Sequence, residues 1–181
     1  MRASDAVAAA VAAAPDALFV SSLGTATSAL RLASDDGPHL YLGGAMGCGL
    51  AAALGVADVR PGRSVIAVVG DGDLLMGASS LWTLAGLRPE NLLVLVLDDG
   101  RYSITGGQEL VAGGAFRDVV PAFPGLATAI AEDPGAVADA IRGLPRPAVL
   151  LAAISERAWP GPSPFVDPHR VHARFREAAS A

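Results

Sequence analysis

The sequence is poor in cysteine, in charge and in long apolar runs. It has one cysteine, Cys48, and charged residues make up 17% of its 181 residues. One cysteine argues against a disulfide framework or a cysteine-based metal centre, so we expect a reducing, cytoplasmic setting. With a net charge of -5 and no basic cluster, nucleic acid is not an expected partner. The longest apolar runs, such as 92–97, are too short to span a membrane, and the alanine-rich N-terminus is interpreted as a helix rather than a signal segment.

Apolar residues, at 52% of the chain, follow a strand–helix alternation. Continuous apolar runs at 64–70 and 91–99 predict strands buried on both faces. Weaker patterns predict further strands at 17–22, 39–44, 126–132 and 147–155, and helices at 4–14, 44–57, 74–87 and 134–143. The alternation predicts an α/β fold with an open, mostly parallel, doubly wound sheet and helices on both faces. Residues 1–181 are interpreted as a single domain that ends in a Pro-rich crossing and a C-terminal helix at 159–181.

Acidic residues follow both central strands. GDGD occupies 70–73 and DDG occupies 98–100. If these strands are neighbours, Asp71 and Asp99 face one small volume at the carboxyl edge of the sheet, where ligands bind in such folds. A divalent cation such as Mg²⁺ would relieve their repulsion and leave room for a phosphate near the adjacent glycines. The alternative is that Asp71 and Asp73 cap a helix while 98–100 forms a plain turn.

Four short motifs carry a resemblance to a known family. They are SSLGT at 21–25, GAMG at 44–47, GDG at 70–72 with an acid pair about 25 residues later, and YSITGGQ at 102–108. In this order they resemble the diphosphate-binding domain, or beta subunit, of thiamine diphosphate-dependent 2-oxo acid decarboxylases. The loop at 102–108 is similar to that of sulfopyruvate and phosphonopyruvate decarboxylases.

The resemblance implies a role for each matching position. Asp71 and Asp99 would be side-chain ligands of Mg²⁺, and the Arg101 carbonyl would be a backbone ligand. The cofactor-binding set would comprise Thr25, Gly44, Ala45, Met46, Gly70, Gly72, Asp73 and Tyr102. Within it, the N–H groups of Gly72 and Asp73 would meet the diphosphate. The Gly44 carbonyl would hold the aminopyrimidine, and Met46 would force the cofactor into a V shape unless it simply fills the core.

Two positions depart from the family pattern. The family usually has Asn in place of Asp99, and many relatives have a small or hydroxylated residue in place of Asp73. With Asp98, four carboxylates lie near an anionic diphosphate. Repulsion of about 1 kcal/mol would weaken binding about fivefold. Two arrangements are open: Asp73 and Asp98 point away from the cofactor, with Asp73 as a helix cap, or they face it and weaken its binding.

The other half of such enzymes supplies a glutamate that activates the cofactor, and no glutamate here lies on a matching motif. The resemblance therefore implies a separate pyrimidine-binding alpha subunit, in a hetero-oligomer with at least two of each chain. The implied activity is decarboxylation of a small anionic 2-oxo acid such as sulfopyruvate or phosphonopyruvate. The alternatives are an acetolactate synthase-like carboligase and a non-catalytic cofactor-binding or regulatory subunit. An ordinary nucleotide-binding domain is disfavoured because no G-x-G-x-x-G run is present.

Several other side chains invite a functional reading. His169 and His172 are interpreted as surface residues and His39 as a polar flank of a strand. Cys48 is expected to be buried and inert, and Trp82 to lie in the core or an interface. Ser103, Thr105 and Gln108 could orient substrate or contact a partner. The Arg101 side chain could attract an anionic substrate group or pair with Asp98 or Asp99.

Overall fold

Six parallel strands form the central sheet of the computed structural model, which describes residues 1–112, 114–159 and 161–180. The strands of this sheet are β1 (Leu18–Ser21), β2 (Leu40–Tyr41), β3 (Val65–Gly70), β4 (Leu92–Asp98), β7 (Ala127–Ala131) and β8 (Ala148–Ala153). Between β4 and β7, β5 (Arg101–Tyr102) and β6 (Gln108–Glu109) form a separate antiparallel hairpin. The order in the sheet is β2-β1-β3-β4-β8-β7. The predicted fold class is confirmed.

The two central strands are buried because their residues are apolar on both faces. β3 and β4 pair in parallel from Val65↔Leu92 to Gly70↔Leu97. Alternate side chains enter two separate cores, with Ile66 and Val68 in one and Ala67 and Val69 in the other. This explains why an uninterrupted apolar run, rather than an alternating pattern, predicts these strands.

Helices cover both faces of the sheet. They are α1 (Ala3–Ala13), α2 (Gly24–Ala33), α3 (Gly49–Val59), α4 (Asp71–Met76), α5 (Ser79–Leu87), α6 (Phe116–Val119), followed by a 3₁₀ turn, α7 (Pro134–Gly143) and α8 (Pro168–Ser180). Helices α1, α2 and α7 pack on one face, and α3 to α6 pack on the other. Every helix in the described ranges is too short or too polar for a membrane span.

The chain reverses its direction of winding beside β1. It passes from β1 to β2 on one side, and then to β3 on the other side. The connections after β1 and β3 therefore diverge at the carboxyl edge and leave a crevice between them. The segments 22–26 and 70–73 border this crevice.

Some predicted boundaries are wrong for reasons of tertiary packing. The helix predicted at 74–87 is two helices, α4 and α5, interrupted at Gly77 and Ala78. The helix predicted at 44–57 begins only at Gly49, after a turn. Helix α2 was not predicted. Asp73 lies within α4, whose N-cap is Gly70, so the capping interpretation is wrong.

The C-terminal helix is present as α8, which packs beside β2. Pro160 of the predicted crossing and Ala181 lie outside the described residues. That 1–181 forms a single domain stays a prediction.

Candidate functional site

A cavity of about 260 Å³ opens at the carboxyl ends of β1, β3 and β4. Its lining includes every predicted metal-binding and cofactor-binding residue except Ala45, namely Thr25, Gly44, Met46, Gly70, Asp71, Gly72, Asp73, Asp99, Arg101 and Tyr102. Residues up to 77 positions apart in the sequence, from Thr25 to Tyr102, therefore meet at one crevice. Ala45 is exposed and does not line the cavity.

Asp71 joins the ends of the two central strands. Its side chain is 2% exposed, and its two oxygens accept hydrogen bonds from the backbone N–H of Gly72 at 2.7 Å and of Gly100 at 2.6 Å. Burial raises the pKa of Asp71 to about 6, the two amides oppose the rise, and the charges of Asp99 and Asp98 add to it. A nearby cation would favour the ionised carboxylate, since the raised pKa reflects loss of water and like charge.

Asp99 begins the turn between β4 and β5. Its Oδ1 accepts a hydrogen bond from Arg101 N–H at 3.0 Å, and its Oδ2 accepts one from Ser103 Oγ at 3.3 Å. The plain-turn interpretation thus accounts for the local hydrogen bonds, but not for why Asp71 and Asp99 share a cavity. The Arg101 side chain bonds instead to the Gly107 carbonyl and to Glu109, so it pairs with neither Asp98 nor Asp99.

The other two acids each bond to a group outside the Asp71–Asp99 pair, although Asp73 still lines the cavity. Asp98 forms an ion pair with Arg117 of α6 at 3.2 Å. Asp73 is 6% exposed, and its Oδ1 accepts a hydrogen bond from Gly47 N–H at 2.7 Å. Both side chains have partners outside the Asp71–Asp99 pair, which reduces the crowding of four carboxylates.

The loop that follows β2 supplies Gly44 and Met46. Met46 N–H donates to the Gly44 carbonyl at 3.0 Å, and Cys48 N–H donates to the Ala45 carbonyl at 3.3 Å, so the segment is a tight turn. Met46 lines the cavity and is absent from both buried cores. The core-filling alternative for Met46 is therefore wrong. Cys48 is exposed, contrary to expectation, because α3 begins only after it.

The hairpin of β5 and β6 covers the cavity. A Cβ added at Gly72 would lie 2.8 Å from two ring carbons of Tyr102, so only glycine lets this ring approach. Ser103, Ile104 and Thr105 also line the cavity. Gln108 does not line it, and its side chain bonds to Thr105.

Helix α2, which the sequence analysis did not predict, carries Thr25 of the predicted SSLGT contact. Its first residues, Gly24 to Ala26, line the cavity, and their N–H groups lie in a helical first turn that has no intrahelical partners. Ser22 is 1% exposed, and within the described ranges its Oγ has no hydrogen-bond partner, although it lies close enough to Asp73 to lower the pKa of that carboxyl. The helical spacing of the apolar residues Ala26, Ala29 and Leu30 is the sequence pattern from which α2 could have been predicted.

The remaining candidates lie elsewhere. His169 and His172 are exposed on α8, as predicted, and Trp82 is 64% exposed with its ring against Phe123, so it is not in the core. His39 is buried rather than a polar flank, at 5% exposure. Among the described residues, no group of three or more His, Cys, Asp or Glu side chains is arranged for a metal. The predicted site has two carboxylates and a carbonyl, so this finding does not test it.

A solved structure shares the fold of this chain, and a family model defines its class. The thiamine diphosphate-dependent 4-hydroxybenzoylformate decarboxylase of Rhodococcus jostii RHA1 has the same fold, with a TM-score of 0.65 and 21% identity over 86% of this chain and 32% of its own. The family model for the thiamine pyrophosphate enzyme, C-terminal TPP binding domain, matches residues 6–155. The chain belongs to this family.

Two curated relatives are similar in sequence. Phosphonopyruvate decarboxylase of Streptomyces hygroscopicus is 35% identical over 178 residues, which is 92% of this chain and 42% of the relative. Sulfopyruvate decarboxylase subunit beta of Methanothermobacter thermautotrophicus is 36% identical over 93 residues, which is 51% of this chain and 50% of the relative. The matches span about half of each relative's length or less.

The cavity residues fit a diphosphate held through a divalent cation. Two carboxylates lie at neighbouring strand ends, and the buried Ser22 hydroxyl has no hydrogen-bond partner in the part of the chain that the structure describes. Gly44 and Gly70 leave open space, since a Cβ at either would meet no atom within 4 Å. Carboxylate oxygens suit a hard cation, and helix-start amides suit phosphate oxygens.

Proposed function

We propose that this chain is the beta subunit of a split thiamine diphosphate- and Mg²⁺-dependent decarboxylase. Its substrate would be a three-carbon 2-oxo acid with an anionic substituent, such as phosphonopyruvate or sulfopyruvate. The observation that carries the proposal is the shared cavity of Asp71, Asp99 and Met46 at the carboxyl edge of the sheet. The names of the two curated relatives support the substrate class.

The metal would be held by the strand ends. The carboxylates of Asp71 and Asp99, together with the Arg101 carbonyl, are the proposed Mg²⁺ ligands. Asp71 is oriented for this by Gly100 N–H, which fixes one carboxylate oxygen between the ends of β3 and β4. Each oxygen that accepts one hydrogen bond keeps a further lone pair for a metal.

The organic part of the cofactor would lie between two loops. Bound thiamine diphosphate supplies a nucleophilic carbon and a cationic ring that accepts the electron pair released as carbon dioxide leaves. In this chain, Asp73 N–H in the first turn of α4 would bind the diphosphate and Thr25 would add a hydroxyl. Gly72 N–H, which donates to Asp71 Oδ1, would join them only by releasing that oxygen. Met46 would support the cofactor from below, and the Gly44 carbonyl would accept a hydrogen bond from its amine.

The substrate would enter beneath the β5–β6 hairpin. Ser103 and Thr105 line the cavity there. Their hydroxyls donate to Asp99 Oδ2 and Gln108 Oε1, and would have to turn away from these acceptors to bind a substrate carboxylate. Tyr102 and Ile104 exclude water from the same side. This arrangement would orient the 2-oxo acid and exclude water from the reacting carbon.

A second polypeptide would complete the site by supplying the glutamate that activates the cofactor. The designation of the archaeal relative as a subunit beta supports this arrangement. We propose a cytoplasmic hetero-oligomer with at least two copies of each chain. The mouth of the cavity would face the pyrimidine-binding alpha subunit.

The test is a decarboxylation assay of the protein with the polypeptide that co-purifies with it. Carbon dioxide release from phosphonopyruvate, sulfopyruvate and pyruvate is measured with Mg²⁺ and thiamine diphosphate, and again with EDTA. We expect release from an anionic substrate that EDTA abolishes. Failure with all three acids, at saturating bound cofactor, would contradict the activity. A new carbon–carbon bond to an added aldehyde would identify a carboligase instead.

A further inference from the structure

Among the described residues, the Asp73 carboxylate has a single well-formed hydrogen bond, which joins α4 to the turn after β2. Its Oδ1 accepts from Gly47 N–H at 2.7 Å, and Gly47 directly follows Met46. Asp73 itself lies in the first turn of α4, two residues after Asp71. The bond therefore joins the helix at the proposed diphosphate end of the cavity to the turn that carries Met46.

Close backbone packing joins the same two segments. A Cβ at Gly77, just past α4, would lie 2.1 Å from the Gly47 carbonyl oxygen, so the two backbones are in direct contact. Gly47 itself has a φ of +85°, which is strained for other residues. Both backbone polar groups of Gly47 therefore contact the α4 segment. The Gly47 N–H donates to Asp73, and the Gly47 carbonyl contacts Gly77 at the end of the helix.

The carboxylate is enclosed on its other side. A Cβ at Gly49 would lie 3.0 Å from Asp73 Oδ2 and 3.1 Å from the Cβ of Ser22. Asp73 is 6% exposed and makes no ion pair among the described residues. A buried carboxylate without a cation is unfavourable beside an anionic ligand, so a purely electrostatic role in the site does not explain its presence.

We propose that Asp73 is a positioning residue that holds the Met46 turn against α4. Through Gly47 N–H it would set the position of Met46 in the cavity, an inference that rests on the proposed function. A carboxylate at this place is then explained by its reach, because a shorter hydroxylated side chain would not span the same gap. Charge-assisted bonds to backbone N–H are also stronger than neutral ones.

A matched pair of variants separates the hydrogen bond from the charge. Asp73→Ala and Asp73→Asn both remove the negative charge, but Asn keeps a side-chain oxygen that can accept from Gly47 N–H. In the cofactor-free protein, we expect the Gly47 amide proton of D73A to exchange with solvent about tenfold faster than that of D73N. Equal exchange in the two variants would overturn the proposal. So would an unprotected Gly47 amide in the unsubstituted protein, a measurement that needs no variant.

The cofactor-loaded complex gives the second readout. We expect kcat of D73A to fall about tenfold below that of D73N, while the Kd for thiamine diphosphate with Mg²⁺ is similar in both, because both lack the charge. A change in Kd alone would overturn the positioning role. Gly77→Ala should lower kcat in the same way, since its methyl group displaces the Gly47 carbonyl. If no 2-oxo acid reacts, the Gly47 exchange rates still decide whether Asp73 holds the turn, so the two proposals fail separately.

Discussion

Asp71 and His39 are both buried, at 2% and 5% exposure, but their surroundings differ. Both carboxylate oxygens of Asp71 accept backbone hydrogen bonds beside a cavity. Neither ring nitrogen of His39 has a hydrogen-bond partner among residues 1–112, 114–159 and 161–180, and the ring is packed edge-on against Phe19 and Tyr41. Burial of an ionisable group therefore does not identify a site by itself. Convergent donors and open space distinguish Asp71.

The two burials have opposite effects on stability as pH changes. The pKa of Asp71 is raised to about 6, so between pH 4 and 6 the folded metal-free protein binds more protons than the unfolded chain. The contribution of Asp71 to the free energy of unfolding therefore falls as pH rises through this range. The pKa of His39 is lowered to about 4, chiefly by burial and also by the charge of Arg174. Between pH 6.5 and 4 the unfolded chain therefore binds more protons than the folded protein. The contribution of His39 to the free energy of unfolding is lost as pH falls through this range.

The largest expected effect is at Asp71. Asp71→Ala should weaken Mg²⁺-dependent binding of thiamine diphosphate by about a hundredfold, roughly 3 kcal/mol, because a charged metal ligand is lost. Calorimetric titration with and without Mg²⁺ measures this, and circular dichroism checks the fold.

Asp98→Asn is the matched control for Asp71→Ala. Asp98 lies at the end of the neighbouring strand, but it pairs with Arg117 and does not line the cavity. We expect its loss to change binding less than about threefold. Equal losses in the two variants would mean that general negative charge, rather than ligation by Asp71, governs binding.

The next effect concerns His39. The unsubstituted protein should lose stability from this residue as pH is lowered from 7 to 5, by about 2 kcal/mol, since the neutral buried ring resists protonation. His39→Leu should remove this loss. Urea unfolding of both proteins at several pH values measures the slope, which is informative even if the absolute stability of the variant differs.

An exposed histidine provides the comparison for His39→Leu. His169 lies on the surface of α8. His169→Leu should leave the pH slope of the unfolding free energy unchanged. If it alters the slope as much as His39→Leu does, burial of the His39 ring is not the cause.

The sequence predicted the parts of the site that depend on local pattern. The apolar runs that end at Gly70 and Asp98 located both central strands, and parallel pairing then brought Asp71 and Asp99 to one edge. The fold class followed from the same alternation. These predictions succeeded because strand burial and the direction of chain exit are local properties.

The parts that failed depend on contacts between distant residues. The α4–α5 helix is broken at Gly77 where the Gly47 carbonyl touches it, 30 residues earlier in the chain. The Asp73 carboxylate accepts its hydrogen bond from Gly47 in the same turn. Because the sequence does not reveal this distant partner, the residues around Asp73 were interpreted as a helix cap. DDG also could not reveal which acid faces the cavity, because that depends on Arg117 in α6 pairing with Asp98.

The smallest expected effects come from adding one methyl group beside His39 and one beside Asp71. A Cβ at Gly37 would lie 2.1 Å from His39 Nε2, whereas one at Gly70 would meet no atom within 4 Å. Gly37→Ala should therefore lower the unfolding free energy by about 1 to 2 kcal/mol through overpacking.

Gly70→Ala should behave in the opposite way. Gly70 has a φ of -78°, which alanine adopts without strain, so the melting temperature should change little. Its methyl group projects into space that the proposed diphosphate site requires, and we expect cofactor binding to weaken about tenfold, roughly 1.4 kcal/mol. Unchanged cofactor affinity in this variant would show that the diphosphate does not lie against Gly70. The open space at the strand ends would then need a different ligand, and the contrast with the closely packed His39 region would lose its functional meaning.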